Sequence, residues 1–497
     1  MSFPVAVHKA QRVLALNWPV LIRLSIMIGV LALACAIGPL VVSRRVDPLL
    51  VAGGVAGLSA LLLWRHTGQR GGYGLLAVVL SAGLLNFFTL STGTQSRVVI
   101  SMLLAIGLVG GWLLAPIFTK QRLHLKPSPI NKPLLAFVAI SVIAYAWGNV
   151  MRDPLVWVPS SWPVIQMAAL TANTMLPLLA LYVANKVTEV RWLELLAWTV
   201  LGIGTFVITS DLLRLPLDWL YFNGSRGLFA LWVSVLAYAL ALFDRRLPVW
   251  MRALLLLMVG AWWYRNFIGN TLWLSGWVPM AVAYMVVTFA RSKKLFLLMI
   301  VVLLIFVAAN SSALYTNVVM ANEDEGGLQR LELWRMNLEL VANHPLFGVG
   351  PAGYAVYNMW YHPLDARSTH NNYFDVLAQT GVIGFAVFIW LWGAFLAVGN
   401  RTRRQLAGTR GFTEAFANAT LAGCVGALIG MLLGDWVLPF AYNQTIAGFD
   451  NASFTWIFLG GMVALANIVG APTAGDEPSA IPNSAPDRSD SVMRNDS

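Results

Sequence analysis

Long apolar runs separated by short polar links occupy most of the chain. A helix needs roughly eighteen or more apolar residues to cross a hydrocarbon core of about 30 Å. On that measure the pattern predicts fourteen spans, at 20–42, 46–64, 73–90, 97–118, 133–151, 164–184, 193–212, 227–243, 250–268, 272–290, 294–310, 373–398, 415–434 and 454–470. The expectation is an all-α, polytopic membrane protein with about 12–14 transmembrane helices and one large loop. The run from Val20 to Val42 has full-span length and no small-residue cleavage site, so it reads as a first anchor. One polar gap is far longer than the rest. It divides the chain into 1–310 with about eleven spans, a loop at 311–372, C-terminal spans within 373–471, and a tail at 472–497. The tail is rich in Pro, Ser, Asp and Asn, a composition that reads as disordered.

Composition agrees with a bilayer environment. With 58% hydrophobic and 11% charged residues, the chain is too apolar for a single water-soluble fold. A net charge of +11 would suit nucleic acid only if the cations formed a patch on a soluble domain. They sit between apolar runs instead, as topology signals and anion-binding groups, so nucleic acid is excluded as a partner. Lys9, Lys120, Lys126, Lys132, Lys186, Lys293 and Lys294 all fall on one side of the alternation, together with Arg401, Arg403, Arg404 and Arg410. By the positive-inside rule that side is cytoplasmic, both termini lie there, and the 311–372 loop lies on the opposite face. Arg44 and Arg45 are the main misfit. Cys35 and Cys424 both lie inside apolar runs, where they form neither a disulfide framework nor a metal motif.

The loop side carries no lysine but keeps arginines at 97, 152, 214, 226, 265, 330, 335 and 367. Arginine holds its charge and presents a planar fork that grips phosphate oxygens in pairs, which lysine cannot do. A lipid diphosphate is one partner that would retain them. A local carboxylate is another, as for Arg152 beside Asp153. Arg226 and Arg265 sit at span ends with no carboxylate near them in sequence, which makes both candidates for an anion site.

Within the loop, Leu328, Leu331, Trp334, Leu338 and Val341 recur at helical spacing and predict an amphipathic helix bearing Arg330 and Arg335. Glu332 and Glu339 beside them leave open ordinary solvated pairing. In HPLFGVGPAGY, Gly348, Gly350 and Gly353 allow tight turns or a close approach of backbone to ligand. In RSTHNNYFDVLAQTGVIG, His370 precedes a span, and Asn371 and Asn372 are suited to cap the helix that begins there. The positive helix end and nearby Arg367 both favour a neutral imidazole, the form a general base needs. A merely capping or packing role remains open for His370. His344 and His362 stand in His-Pro turns and are weaker candidates.

The ordered combination from Trp334 to Gly384, W-R-x-x-L followed by HPLFGVGPAGY and HNNYFDVLAQTGVIG, resembles the signature of the O-antigen ligase and Wzy-type polymerase superfamily. Gly224-Ser225-Arg226-Gly227 resembles a looser upstream feature of it. The resemblance implies a metal-independent glycosyltransferase of the GT-C type, without a cofactor, in the bacterial inner membrane. Its donor would be a glycan on undecaprenyl diphosphate and its acceptor lipid A-core or a growing glycan chain, on the periplasmic face. It further implies that His370 is catalytic, that Arg226, Arg265, Arg330 and Arg335 bind the donor diphosphate, and that Arg367, Asn371, Asn372, Gly348 and Gly350 support them. No Asp-x-Asp pair occurs outside the tail, in keeping with a metal-free scheme; Glu323, Asp324 and Glu325 read as solvated loop. Ligase is the preferred subtype, with a polymerase or a protein O-oligosaccharyltransferase as alternatives. A flippase or other transporter would also need many spans, but not a sixty-residue loop with a histidine at a helix start, and it should show two related halves.

Overall fold

In a computed structural model of the protein, the structure describes residues 72–85, 89–91, 97–119, 123–160, 162–214, 227–269, 273–309, 311–314, 330–362, 368–442 and 447–470. The predicted spans 20–42 and 46–64 and the tail at 472–497 lie outside these residues. From residue 72 onward, every predicted span has a helix: α1 (Gly72–Leu84), α2 (Ile100–Thr119), α3 (Asn131–Val150), α4 (Trp162–Lys186), α5 (Val190–Leu212), α6 (Phe229–Phe243), α7 (Val249–Trp263), α8 (Leu274–Arg291), α9 (Lys293–Ala309), and, after the long loop, α13 (Asn372–Leu406), α14 (Phe412–Leu433) and α15 (Gly448–Val469). The loop holds a single turn, α10 (Ser311–Leu314), and two helices, α11 (Arg330–Asn343) and α12 (Gly353–Tyr361). Eight of the described helices are long and apolar enough to cross a bilayer. The chain is an all-α, multi-pass membrane protein, apart from a short antiparallel ribbon of β1 (Thr89–Ser91) and β2 (Arg97–Val99), paired Thr89 to Val99.

Burial separates an inner set of helices from an outer one. In α15 an unbroken run from Gly448 to Leu465 is buried, and α6 is buried on nearly every face. Such helices have no polar stripe because no face meets water. Gly423, Gly426 and Gly430 of α14 let α6 and α8 pack closely against it, since a Cβ at these positions would lie within 2.8 Å of Trp232 or Leu231 of α6 or of Leu228 just before it, and at Gly426 also 2.8 Å from Pro279 of α8. By contrast, α9 exposes Leu297, Leu298, Leu304 and Ile305, an apolar surface suited to lipid.

Three predicted elements end differently. The run at 73–90 stops as a helix at Leu84, and Thr89 and Leu90 belong to the ribbon. The run at 250–268 closes in a π-helical turn, Tyr264–Ile268. The run at 373–398 is broken: Gly381 (φ +67°) separates a short helix, Asn372–Thr380, from the membrane-length helix that reaches Leu406.

The two ends of the bundle carry different chemistry. Lys132 stands at the start of α3, whose far end packs at Gly148 against the Val349–Gly350 backbone of the loop. Near Lys132, the Lys126 N–H donates to Asn185 Oδ1 at the end of α4 (2.7 Å). The Arg245 N–H donates to the Arg410 carbonyl at 3.1 Å, tying the end of α6 to the link between α13 and α14. The lysine-bearing end therefore lies opposite the end that holds His370.

Candidate active site

The first turn of α13 is fixed by its own side chains. Asn371 has extended backbone and its side-chain oxygen accepts from the Tyr373 N–H at 2.9 Å, so it is the N-cap. Asn372 is not a second cap. It is buried and clamps the 434–442 segment: its amide donates to the Leu438 carbonyl at 2.7 Å, and its oxygen accepts from the N–H groups of Val437 (2.9 Å) and Leu438 (3.3 Å). Asn371 donates to the Leu432 carbonyl at 3.3 Å, and the Tyr373 hydroxyl to the Leu428 carbonyl at 2.9 Å. The start of α13 is thus bound to the end of α14 on two sides.

Beneath this turn lies a polar knot centred on Asp375. Its Oδ1 accepts from the Tyr354 hydroxyl and from the Thr369 hydroxyl, the latter at 2.6 Å. The Tyr354 ring stacks on Phe440 at 4.2 Å, and the Phe440 N–H donates to Asp435 at 2.9 Å. Asp435 is close enough to act electrostatically on both Asp375 and Tyr354. Burial, with Asp375 beside it, pushes the Tyr354 phenol well above its usual range, which keeps it a proton donor in this knot. From the other side, the Trp334 indole of α11 donates to the Thr369 carbonyl at 3.0 Å and its ring stacks on Phe374 at 5.0 Å.

One residue of the turn is less enclosed than its neighbours. Ser368, Thr369, Asn371 and Asn372 are exposed by 6%, 0%, 1% and 0%, whereas His370 between them is only half-buried. Its backbone takes the left-handed conformation (φ +51°), held by the Ser368 hydroxyl, which accepts from the His370 N–H at 3.1 Å. Histidine tolerates that conformation better than most residues, yet still at a cost, and such strain concentrates at functional positions.

The glycines of the HPLFGVG turn serve backbone packing. Gly348 has φ +63°, and a Cβ there would lie 2.3 Å from the Ala378 carbonyl oxygen. The Val349 and Gly350 N–H groups donate to the carbonyls of Ala378 (3.0 Å) and Gln379 (3.1 Å), and the Val382 N–H donates to Pro345 at 2.8 Å. The turn therefore satisfies the backbone groups freed by the break at Gly381.

The predicted apolar stripe of α11 is rotated. Leu331 and Leu338 are 71% and 49% exposed, and the buried face consists of Leu333, Met336, Asn337 and Val341. Leu328 lies outside the described residues. Trp334 joins the two faces through its contacts with Thr369 and Phe374.

Of the arginines, Arg265 stands on the π-helical turn, where its Nε donates to Asp211 at 2.8 Å and its guanidinium lies 5.7 Å from the Trp262 ring centre. The carboxylate missing from its sequence neighbourhood comes from the end of α5. This turn packs on α8, and Trp273 at the start of α8 meets Trp436 of the 434–442 segment edge-on at 5.9 Å. Arg330 opens α11, half-buried. Arg335 is exposed and pairs with Glu332 (2.7 Å) and Glu339 (3.5 Å) on its own helix. Arg226 and Arg367 lie outside the described residues. His370, Asn371, Asn372, Gly348 and Gly350 converge. Sequence reasoning missed Asp375, Thr369, Tyr354 and Asp435, although the first three fall inside the same motif.

His344 packs edge-on to the Tyr357 ring at 5.5 Å, near Asp153, whose carboxylate accepts from the Tyr361 hydroxyl at 2.6 Å. Burial lowers the His344 imidazole below its usual 6.5, and Asp153 pulls the other way. A histidine depressed in the folded chain binds its proton more tightly when unfolded. Its contribution is therefore complete above pH about 6.5 and is lost as pH falls through the folded value. Amide exchange in 344–352 should accelerate as pH falls below about 6.5, after correction for intrinsic rates. His344→Gln should remove that dependence, and an equal acceleration in both proteins would assign it elsewhere.

Together these features describe a multi-pass helical protein with a half-buried histidine in an otherwise buried turn where a loop meets the bundle. Residues 266–389, which include α11, α12, His370 and the start of α13, match the family model described as O-antigen ligase. Over that segment, about a quarter of the chain, it is similar to the O-antigen ligase domain. No curated protein matches the chain.

Proposed function

We propose that the protein is an O-antigen ligase. It would transfer a glycan from undecaprenyl diphosphate to a hydroxyl of the lipid A-core oligosaccharide, on the periplasmic face of the bacterial inner membrane. The observation that carries this reading is His370, half-buried in a turn whose neighbours Ser368, Thr369, Asn371 and Asn372 are buried. In this reading the lysine-bearing end is cytoplasmic, with both termini, and the His370 end is periplasmic.

The chemistry needs little from the protein beyond position and charge. His370 takes the proton from the acceptor hydroxyl, and that oxygen forms the new bond to the anomeric carbon. The carbon–oxygen bond to diphosphate breaks, and its electron pair leaves with the diphosphate. Direct attack inverts the anomeric configuration. Arg265, with Arg226, Arg330 and Arg335, would neutralise the departing anion. Arg265 and Arg335 would exchange or share their carboxylate partners when donor binds, since a diphosphate offers more acceptor oxygens than one carboxylate. Arg367, Asn371, Asn372, Gly348 and Gly350 support the turn that carries His370.

The reading is tested by the lipopolysaccharide of a strain lacking the gene. A ligase predicts unmodified lipid A-core alongside accumulated lipid-linked polymer. Core capped with single repeats would instead assign polymerase activity, and an unchanged profile would contradict both.

A further inference from the structure

At the lysine-bearing end of the bundle, a cavity of about 710 Å³ opens where the ends of α13 and α15 meet the links before α3 and α5. Its polar lining includes Lys126, Ser128, Arg401, Thr402, Gln405 and Asn467. No carboxylate lines it, and Glu189, beside the lining residue Thr188, is held by Arg191 at 2.6 Å. The wall is pinned at its backbone. The Lys126 N–H donates to Asn185, the Asn131 amide donates to the Lys126 carbonyl at 2.8 Å, and the Asn467 amide donates to the Ala184 carbonyl at 3.1 Å. Among the described residues, neither Lys126 nor Arg401 has a carboxylate partner. Burial draws the Lys126 ammonium below its usual range. Two cations without a carboxylate, one of them partly withdrawn from water, favour an anionic guest.

The cavity stands at headgroup depth. The helix from Val382 to Leu406 rises about 36 Å at 1.5 Å per residue, longer than a hydrocarbon core of about 30 Å, so its last turns pass beyond the core. Arg401, Thr402 and Gln405 belong to those turns. One face of the same helix leads to them: Val382, Ala386, Ile389, Gly393, Ala397 and Arg401 recur every three or four residues and all are exposed. At Gly393 an added Cβ would meet nothing within 4 Å, so the stripe dips there, open to lipid. A phosphate held by the cavity thus has an apolar track for its acyl chain, which a free anion or a peptide does not need. We propose that this cavity holds the phosphate head of an anionic phospholipid of the adjoining leaflet, with an acyl chain along the α13 stripe. The site lies at the other end of α13 from His370 and does not depend on the reaction proposed above.

Native mass spectrometry of the full chain in detergent should show phosphatidylglycerol adducts at least tenfold over phosphatidylcholine of equal chain length. Lys126→Gln combined with Arg401→Gln should bring that preference below threefold. Lys293→Gln combined with Lys294→Gln, which removes the same charge at the start of α9, should leave it unchanged. Ala397→Trp keeps both cations but fills the track, and should also bring the preference below threefold. No preference in the parent protein, or an equal loss in the two double variants, would reduce the effect to diffuse charge and overturn the proposal. Glycerol 3-phosphate in tenfold excess should leave the lipid bound; its displacement of the lipid, or full preference in Ala397→Trp, would leave an anion site without a lipid and overturn it too. A photo-crosslinking residue placed at Gln405 should capture phosphatidylglycerol. Capture of residues 471–497 of the chain in place of lipid would assign the cavity to the tail and likewise overturn it.

Discussion

Replacing His370 by alanine should lower the rate of glycan transfer by about 10²- to 10⁴-fold, the range for loss of a positioned general base. Donor KM should change little, because no part of the proposed diphosphate contact is removed. Folding should hardly suffer. The side chain is half-buried, and Thr369, Asn371, Asn372 and Asp375 supply hydrogen bonds that fix the turn. His370→Gly sharpens the test. It releases the left-handed strain at φ +51° and should melt slightly higher than His370→Ala, by about 1 kcal/mol of stability, while being just as inactive. Imidazole added to either variant should restore part of the transfer. A folded His370→Ala protein with full activity would remove the base from the mechanism.

Gly348→Ala should cost about 2–4 kcal/mol and reduce transfer by about 10²-fold. Two effects combine. The residue sits at φ +63°, where a Cβ is disfavoured, and that Cβ would lie 2.3 Å from the Ala378 carbonyl oxygen and 2.8 Å from the Gly381 nitrogen. Both are backbone atoms and neither can swing away as a side chain would. The turn and the short helix Asn372–Thr380 must separate, and that helix is capped by Asn371, the residue after His370. Gly393→Ala, on the same helix α13 with no atom within 4 Å of the added Cβ, is the control and should be nearly silent. Differential scanning fluorimetry and transfer rates on the pair read both effects. If both variants behave alike, the packing role of Gly348 is wrong.

Much of the membrane fold was legible because length and apolarity alone decide whether a helix can span. The loop was legible as the longest polar gap, and Asn371 as a cap, because capping depends on residues close in sequence. What escaped depends on partners distant in sequence. Nothing local indicates that Asn372 clamps Val437 and Leu438, or that Asp211 reaches Arg265 from 54 residues away. The break at Gly381 was hidden within a run that reads as one helix, since its compensating hydrogen bonds come from Pro345 to Gly350. The stripe of α11 was misplaced because the helix bears apolar residues on two faces, and only contact with the Thr369–Phe374 turn selects one. The Asp375 knot was missed for a similar reason: a carboxylate in a first turn reads as a dipole partner until Tyr354 and Thr369 are seen donating to it.

The central claim is that this site moves a glycan from a lipid diphosphate to a core hydroxyl. The most direct measurement is mass spectrometry of products from purified protein in proteoliposomes, supplied with undecaprenyl-diphosphate-linked glycan and lipid A-core. The prediction is glycosylated lipid A-core with one glycan-free undecaprenyl diphosphate released per transfer, and at least about 100-fold slower formation of both with His370→Ala. Lengthened lipid-linked glycan with untouched core, or core glycosylation that persists undiminished in His370→Ala, would contradict it.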